Sequence, residues 1–202
     1  MSLVIVNTRV ANLASVDFAF QRFGVHATIS ADPAIIRAAE RVVLPGVGTA
    51  GAAMRSLQSL ELVNVLRELE QPVLGICLGM QMLAESSHES QGAQDKPTPC
   101  LGVIPTQIER LHDDGRHPLP HMGWNQTQVS EHPLFRGLNN PWFYYVHSFA
   151  APVNDSAIAA CDYTQPFAAA IAHKNFMGVQ FHPERSGHDG AQVLKNFLEI
   201  SC

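Results

Sequence analysis

Cys77 stands between two glycines in Gly75-Ile-Cys-Leu-Gly-Met-Gln81, directly after the apolar run Pro72-Val-Leu74. A strand that passes into a helix through Gly-x-Cys-x-Gly has the form of a nucleophile elbow, with sulfur in place of oxygen. Small residues at 75 and 79 let neighbouring backbone come close and leave side chain 77 presented on a sharp turn. The following helix offers its positive end and free N–H groups to a thiolate, the reactive form of cysteine. The N–H of Leu78 is placed to bind an oxyanion. The competing reading is a buried, inert thiol at a strand end, a common place for a free cysteine.

Far down the chain, Phe181-His-Pro-Glu184 supplies a base and a group to orient it. His182 and Glu184 are two apart, so on an extended segment they point to the same side. A carboxylate there can hold one ring nitrogen and leave the other facing a nucleophile, as in a triad. Pro183 stiffens the segment and argues against a helix. Alone, the segment reads first as an exposed turn with no partner. Together with the elbow it makes Cys77, His182 and Glu184 the candidate catalytic residues. Leu44-Pro-Gly-Val-Gly48 is a third piece, a strand end followed by a turn. Val47 and Gly48 can offer a second oxyanion donor. The turn lacks the GxxxxGK[ST] pattern of a phosphate loop. The chain has ten histidines, but His117-Pro-Leu-Pro-His121 cannot put two of them on one helical face. No metal or other cofactor is expected.

These residues need elements to hold them, and the first half alternates strand and helix signals. Strands are expected at 3–7, 25–30, 41–46 and 72–77. Helices are expected at 12–23, from Asp32-Pro33 onward, at 50–70 in two pieces, and at 79–86. Asp32 reads as an N-cap with proline at the first helical position. Repeated βα units imply a parallel sheet with helices on both faces. Residues 87–101 read as a polar loop with Gly92, Pro97 and Pro99. The second half then carries strand-like runs at 103–111, 123–129, 142–149, 156–161, 167–173 and 176–181, expected to be antiparallel, and a last helix at 188–199. The expected fold class is α/β: an open, mostly parallel sheet flanked by helices, with antiparallel strands added in the second half.

Bulk properties set the outer limits. A chain of 202 residues, 46% hydrophobic and 15% charged, is enough for one domain with a full core, taken here as 1–202, and is not a disordered chain. A formal net charge of −5 without a basic block gives no support to nucleic-acid binding. No apolar run reaches the roughly 20 residues that span a bilayer, and Met1–Val10 reads as a first strand, not a signal peptide. Cys77, Cys100, Cys161 and Cys202 are scattered without CxxC pairing, which suits a reducing, cytoplasmic setting.

In this order, the elbow, Pro45-Gly-Val-Gly48 and Phe181-His-Pro-Glu184 resemble the triad-type (class-I) glutamine amidotransferases. Leu119-Pro-His-Met-Gly-Trp-Asn125, Tyr144-Tyr-Val-His-Ser-Phe149 and Gly178–Ser186 are similar to the glutaminase subunits of imidazole glycerol phosphate synthases, of histidine biosynthesis. The resemblance implies that Cys77 attacks the side-chain amide of L-glutamine, His182 carries the proton, and Glu184 orients His182. It implies that a thioester is hydrolysed to glutamate, with the oxyanion held by Leu78 and Val47-Gly48. Gln81 and Glu89 would grip the glutamine, with His147, Ser148 and Phe149 lining the site. Ammonia would pass through a channel to a (β/α)₈ cyclase subunit in a heterodimer, which contacts Asn12, Met122, Trp124, Tyr144 and Arg185. From the residues alone, Trp124 and Tyr144 read first as packing for an ordinary strand face.

Two departures from the family pattern stand out. Asn7-Thr-Arg9 replaces an Asp-x-Gly, so Arg9 must adopt a conformation suited to glycine or strain the turn. Phe149 stands where a tyrosine is frequent. The alternatives are a glutaminase of another amidotransferase pathway (anthranilate, CTP or GMP synthesis), a silent interaction protein on the same fold, and a free-standing cysteine hydrolase.

Overall fold

The computed structural model describes residues 1–9, 12–89 and 96–200. Gly92, part of the expected loop 87–101, and Cys202 lie outside the described residues. In chain order the first half comprises β1 (Leu3–Val6), α1 (Leu13–Gln21), β2 (Thr28–Ser30), α2 (Pro33–Ala38), β3 (Arg41–Gly46), α3 (Ala50–Ser59), α4 (Leu62–Arg67), β4 (Val73–Cys77) and α5 (Leu78–Leu83). The second half adds β5 (Ser86–Ser87), β6 (Thr98–Pro99), β7 (Gln107–Arg110), β8 (His121–Gln126), β9 (Gln128–Val129), β10 (Trp142–His147), β11 (Phe149–Ala150), β12 (Ala157–Asp162), β13 (Pro166–His173), β14 (Phe176–Val179) and α6 (Gly187–Glu199). Among the described residues, no helix is long and apolar enough to cross a membrane.

The main sheet runs β2-β1-β3-β4-β14-β13-β12-β9. From β2 to β14 every neighbouring pair is parallel, and from β14 to β9 every pair is antiparallel. The strand expected at 176–181 is β14, antiparallel to β13 as expected and, on its other edge, parallel to β4. A tight turn with Lys174 at φ 53° reverses the chain out of β13, and this returns β14 parallel to β4.

Alternation along the strands builds two cores. Val4, Val6, Val42 and Leu44 face a layer made by α2 to α5. Leu3, Ile5, Val43, Leu74 and Ile76 face α1, α6 and the small β8–β10 sheet. Asp32 caps α2 as its type predicts, accepting from Ala34 N–H at 2.7 Å. Pro45 is tolerated in β3 because the pairing with β1 ends at Val43, so its missing N–H leaves no ladder position empty.

Four sequence expectations shift for local reasons. The helix expected at 79–86 stops at Leu83. The N–H groups of Leu101, Val103 and Ile104 donate to the carbonyls of Met82 and Leu83, satisfying its open C-terminal end. The same bonds keep 103–106 out of a strand, so β7 begins only at Gln107. The run 123–129 divides at Thr127: β8 pairs with β10, while β9 joins the main sheet through β12. The run 142–149 divides at Ser148, whose carbonyl accepts from Leu111 N–H at 2.9 Å. Arg9 takes the left-handed conformation, φ 61°, with its N–H donating to Asn7 Oδ1 at 3.1 Å.

Candidate active site

Three neighbouring parallel strands bring the distant motifs together. β3, β4 and β14 lie side by side, with Gly46 opposite Cys77 and Val179 opposite Ile76. The Val47-Gly48 turn, Cys77 and His182 therefore all emerge at the carboxyl edge, where open parallel sheets place their sites.

The elbow is as tight as its glycines suggest. Cys77 sits at φ 53°, ψ −112°, directly before α5. A side-chain carbon at Gly75 would come to 2.7 Å from the Gly79 backbone. One at Gly79 would run into the Leu44 carbonyl oxygen. Leu78 is the first residue of α5, so its N–H has no partner within the helix.

His182 faces this thiol from the end of β14. Its Nδ1 contacts Glu184 Oε1 at 2.8 Å. Burial pulls the ring's pKa down, but the hydrogen bonds with Cys77 and Glu184, aided by their charges, outweigh it and push it up to about 10. The proton is thus at home on the imidazole beside the sulfur. Burial pushes the thiol of Cys100 up to about 12 and that of Cys161 up to about 11. The side chain of Glu184 is only 6% exposed, and its second oxygen has no protein partner.

A cavity of about 200 Å³ opens over Cys77. Val47, Gly48, Leu78, Gln81, Glu89, His147, Ser148, Phe149 and His182 line it, together with Val146. Every candidate for oxyanion or substrate contact is therefore brought to one place. Gln81 Nε2 donates to the Phe149 carbonyl and to Gln180 Oε1, both at 3.0 Å, which leaves Oε1 to face a ligand. Glu89 Oε2 accepts from Ala50 N–H at 3.2 Å, and burial raises its pKa. A second cavity, about 230 Å³, shares Val47, Val146 and His182 with the first and is bordered by Asn12, Glu184 and Arg185.

The candidate partner contacts gather beside it. β8 and β10 form a two-stranded ribbon with Tyr144 opposite Trp124 and Val146 opposite Met122. Met122 is 62% and Trp124 53% exposed, so the ordinary packing role weighed for Trp124 does not hold. Trp124 meets the Tyr144 ring edge-on at 6.1 Å, and the Arg185 guanidinium lies over that ring at 4.9 Å. Asn12 caps α1 through Ser15 N–H at 3.4 Å. Met122 borders neither cavity.

Sequence reasoning passed over several polar residues that hold this site. Buried Gln180 sends Nε2 toward Cys77 Sγ at 3.8 Å. Ser186 Oγ donates to the His182 carbonyl at 2.6 Å and accepts from Tyr144 N–H at 2.9 Å. The two histidines of His117-Pro-Leu-Pro-His121 part company: His117 pairs with Asp114 at 2.7 Å, and His121 turns inward to His147 at 3.0 Å. Gln180 and Ser186 flank the His-Pro-Glu segment within Gly178–Ser186, and that placement was the signal available for them.

Comparisons with known proteins agree with this geometry. The family model described as "Glutamine amidotransferase class-I" matches residues 6–200. The "Imidazole glycerol phosphate synthase subunit HisH" of Shewanella sediminis is 52% identical over 200 residues, covering 98% of this chain and 91% of its own. The protein of the same name from Vibrio cholerae is 50% identical over 201 residues, covering 98% of each chain. That of Idiomarina loihiensis is 52% identical over 202 residues, covering 100% of this chain and 99% of its own. In fold, the chain is similar to a protein from Thermoplasma acidophilum described as a putative GMP synthase subunit, with a TM-score of 0.71, 20% identity, and coverage of 98% and 93% of the two chains. A structure described as PurLQS from Thermotoga maritima gives a TM-score of 0.72 at 16% identity, with coverage of 98% and 97%. The chain belongs to the class-I glutamine amidotransferases and, within them, to the HisH subunits of imidazole glycerol phosphate synthase.

Proposed function

We propose that residues 1–202 act as one glutaminase domain that releases ammonia from L-glutamine and delivers it to a (β/α)₈ cyclase subunit making imidazole glycerol phosphate. The observation that carries this reading is the pairing of His182 Nδ1 with Glu184 Oε1 at 2.8 Å, with Cys77 on the wall of the same cavity. Cys77 Sγ attacks the amide carbon of glutamine, and the C–N bond breaks as His182 gives its proton to the leaving ammonia. Water then attacks the thioester, His182 takes a proton from it, and glutamate leaves with Cys77 restored. Leu78 N–H, joined by an N–H of the Val47-Gly48 turn, holds the oxyanion.

Gln81 Oε1 and the Glu89 carboxylate are acceptors for the α-amino group of glutamine. His147, Ser148 and Phe149 provide the opposite wall. Asn12, Met122, Trp124, Tyr144 and Arg185 form the cyclase-facing surface, with Trp124 as its half-exposed aromatic anchor. The unpaired described cysteines suit a cytoplasmic setting.

Glutamate release is measured with the chain alone, then with the cyclase partner and its ligand. Low turnover alone, a large rise in the complex, and loss of both in Cys77→Ala are expected. Full turnover without the partner would instead identify a free-standing cysteine hydrolase. No turnover in any mixture would overturn the glutaminase reading.

A further inference from the structure

A buried chain of polar groups leads from the cavity wall to the outer ribbon, and the direction of each hydrogen bond in it can be deduced. The carbonyl of Phe149 accepts from Gln81 Nε2 and lies 3.0 Å from His147 Nδ1. A carbonyl has no proton to give, so His147 Nδ1 carries the proton. His147 Nε2 lies 3.0 Å from His121 Nδ1. Asn125 Nδ2 donates to the Asp162 carbonyl at 2.8 Å, and Asn125 Oδ1 accepts from Gln126 N–H at 2.8 Å, which fixes the amide orientation. Its nitrogen then faces His121 Nε2 at 3.5 Å as a donor, so that ring nitrogen is bare. The proton between the two rings therefore belongs to His121 Nδ1, and His147 Nε2 accepts it.

Both rings are neutral in this arrangement. A second proton on either would set two donors against each other, at Asn125 or between the rings. Burial agrees, holding His147 down at about 3 and His121 at about 4. His121 is further clamped between the rings of Tyr163 and Tyr145, with centroids at 4.0 and 4.9 Å. Its neighbour Met122 points outward, as does Trp124.

We propose that His121, backed by Asn125, is a positioning residue of the glutamine pocket: its Nδ1–H holds His147 Nε2, pins the far side of that ring against the Phe149 carbonyl, and so steadies the carbonyl and the Gln81 amide. Its kinetic consequence rests on the glutaminase reading; its hydrogen-bonding consequence does not. His121 touches no reacting atom. It acts through His147, which lines the cavity.

The test uses His121→Phe, which keeps a ring between the tyrosines but removes the donor, and His121→Asn, whose amide nitrogen can stand where Nδ1 stood. In the full chain labelled with ¹⁵N-histidine, NMR is expected to show His147 as the Nδ1–H tautomer. Its Nε2 resonance is expected to show a hydrogen-bonded acceptor, a signature that moves to that of an unbonded ring nitrogen in His121→Phe and is retained in His121→Asn. In the complex with the cyclase partner, His121→Phe is expected to raise the KM for glutamine about 3- to 10-fold, the scale of one hydrogen bond, with kcat changed less than about twofold. His121→Asn restores most of that KM. An Nε2–H tautomer at His147 in the unmodified chain would overturn the proposal, even if His121→Phe fails to fold. So would an unchanged His147 Nε2 resonance in a folded His121→Phe, or a fall in kcat at constant KM. A wild-type complex without turnover would sink the glutaminase reading, and the NMR measurement would still decide this one.

Discussion

The backbone N–H of His182 donates to the carbonyl of Tyr144 at 2.9 Å. Ser186 closes the loop from the other side, accepting from Tyr144 N–H and donating to the His182 carbonyl. The candidate base and the candidate docking aromatic are thus fastened to each other through main-chain atoms.

Ser186→Ala removes both bonds of a buried hydroxyl and leaves Tyr144 N–H without that partner. A loss of about 1–3 kcal/mol in urea-unfolding stability is expected. Glutamate release in the complex falls as well, because His182 loses its anchor. Stability and activity both at wild-type values would refute the anchoring role.

Gly79→Ala places a side-chain carbon against the Leu44 carbonyl, a backbone group that cannot swing aside. Strand and helix must separate, at a cost of about 3 kcal/mol or more. The measurement is the unfolding midpoint of purified protein. A folded variant with normal turnover would show that the elbow can relax.

Arg9 holds φ 61° without the freedom of glycine. Arg9→Gly relieves a left-handed cost of about 1–2 kcal/mol but loses part of it to the greater flexibility of the unfolded chain. A net gain of about 0.5–1 kcal/mol, with glutaminase activity unchanged, is expected in denaturant titrations. A destabilised variant would mean that the Arg9 side chain contributes more than its strain costs.

The buried pair His121 and His147 sets an acid limit on stability. Their folded pKa values, about 4 and about 3, lie below the ordinary histidine value. Below about pH 6.5 the unfolded chain takes up protons that the folded chain refuses, so their contribution is full above that pH. It is lost as pH falls through the folded values. Urea midpoints measured between about pH 6.5 and 4 should drop, and the drop should be shallower in His121→Phe. Equal slopes for the two proteins would contradict this assignment.

Trp124→Ala removes a half-exposed ring from the proposed docking face. Cyclase affinity is expected to fall by about tenfold or more, the loss typical of an aromatic anchor. The unfolding midpoint of the isolated chain should barely move. Undiminished affinity by titration calorimetry would relocate the interface.

Much of this architecture could be read locally. Asp32-Pro33 announced its helix because a cap is settled by a few adjacent residues. The glycines around Cys77 announced the elbow because a close approach excludes every other side chain. The length of α5 could not be read in this way, since its last carbonyls are satisfied by Leu101, Val103 and Ile104, far along the chain. The parallel pairing of β14 with β4 was hidden too, because it depends on the hairpin with β13. Gln180, Ser186 and His121 were missed for one reason: a polar side chain reveals its task only when its partner is known, and Gln81, Tyr144 and His147 lie far from them in the chain.

The β8–β10 ribbon alternates strictly, with Phe143, Tyr145 and His147 facing inward and Met122 and Trp124 outward. A strand has only two sides, so one inserted or deleted residue turns everything downstream of it over. Between Thr127 and Pro141 the chain can change in length and still leave the ribbon paired. Within either strand, a single-residue slip would carry Trp124 into the core and His147 out to water. Drift in the proposed partner-facing residues is therefore confined to substitution, because any shift in spacing would dismantle the pocket wall in the same stroke.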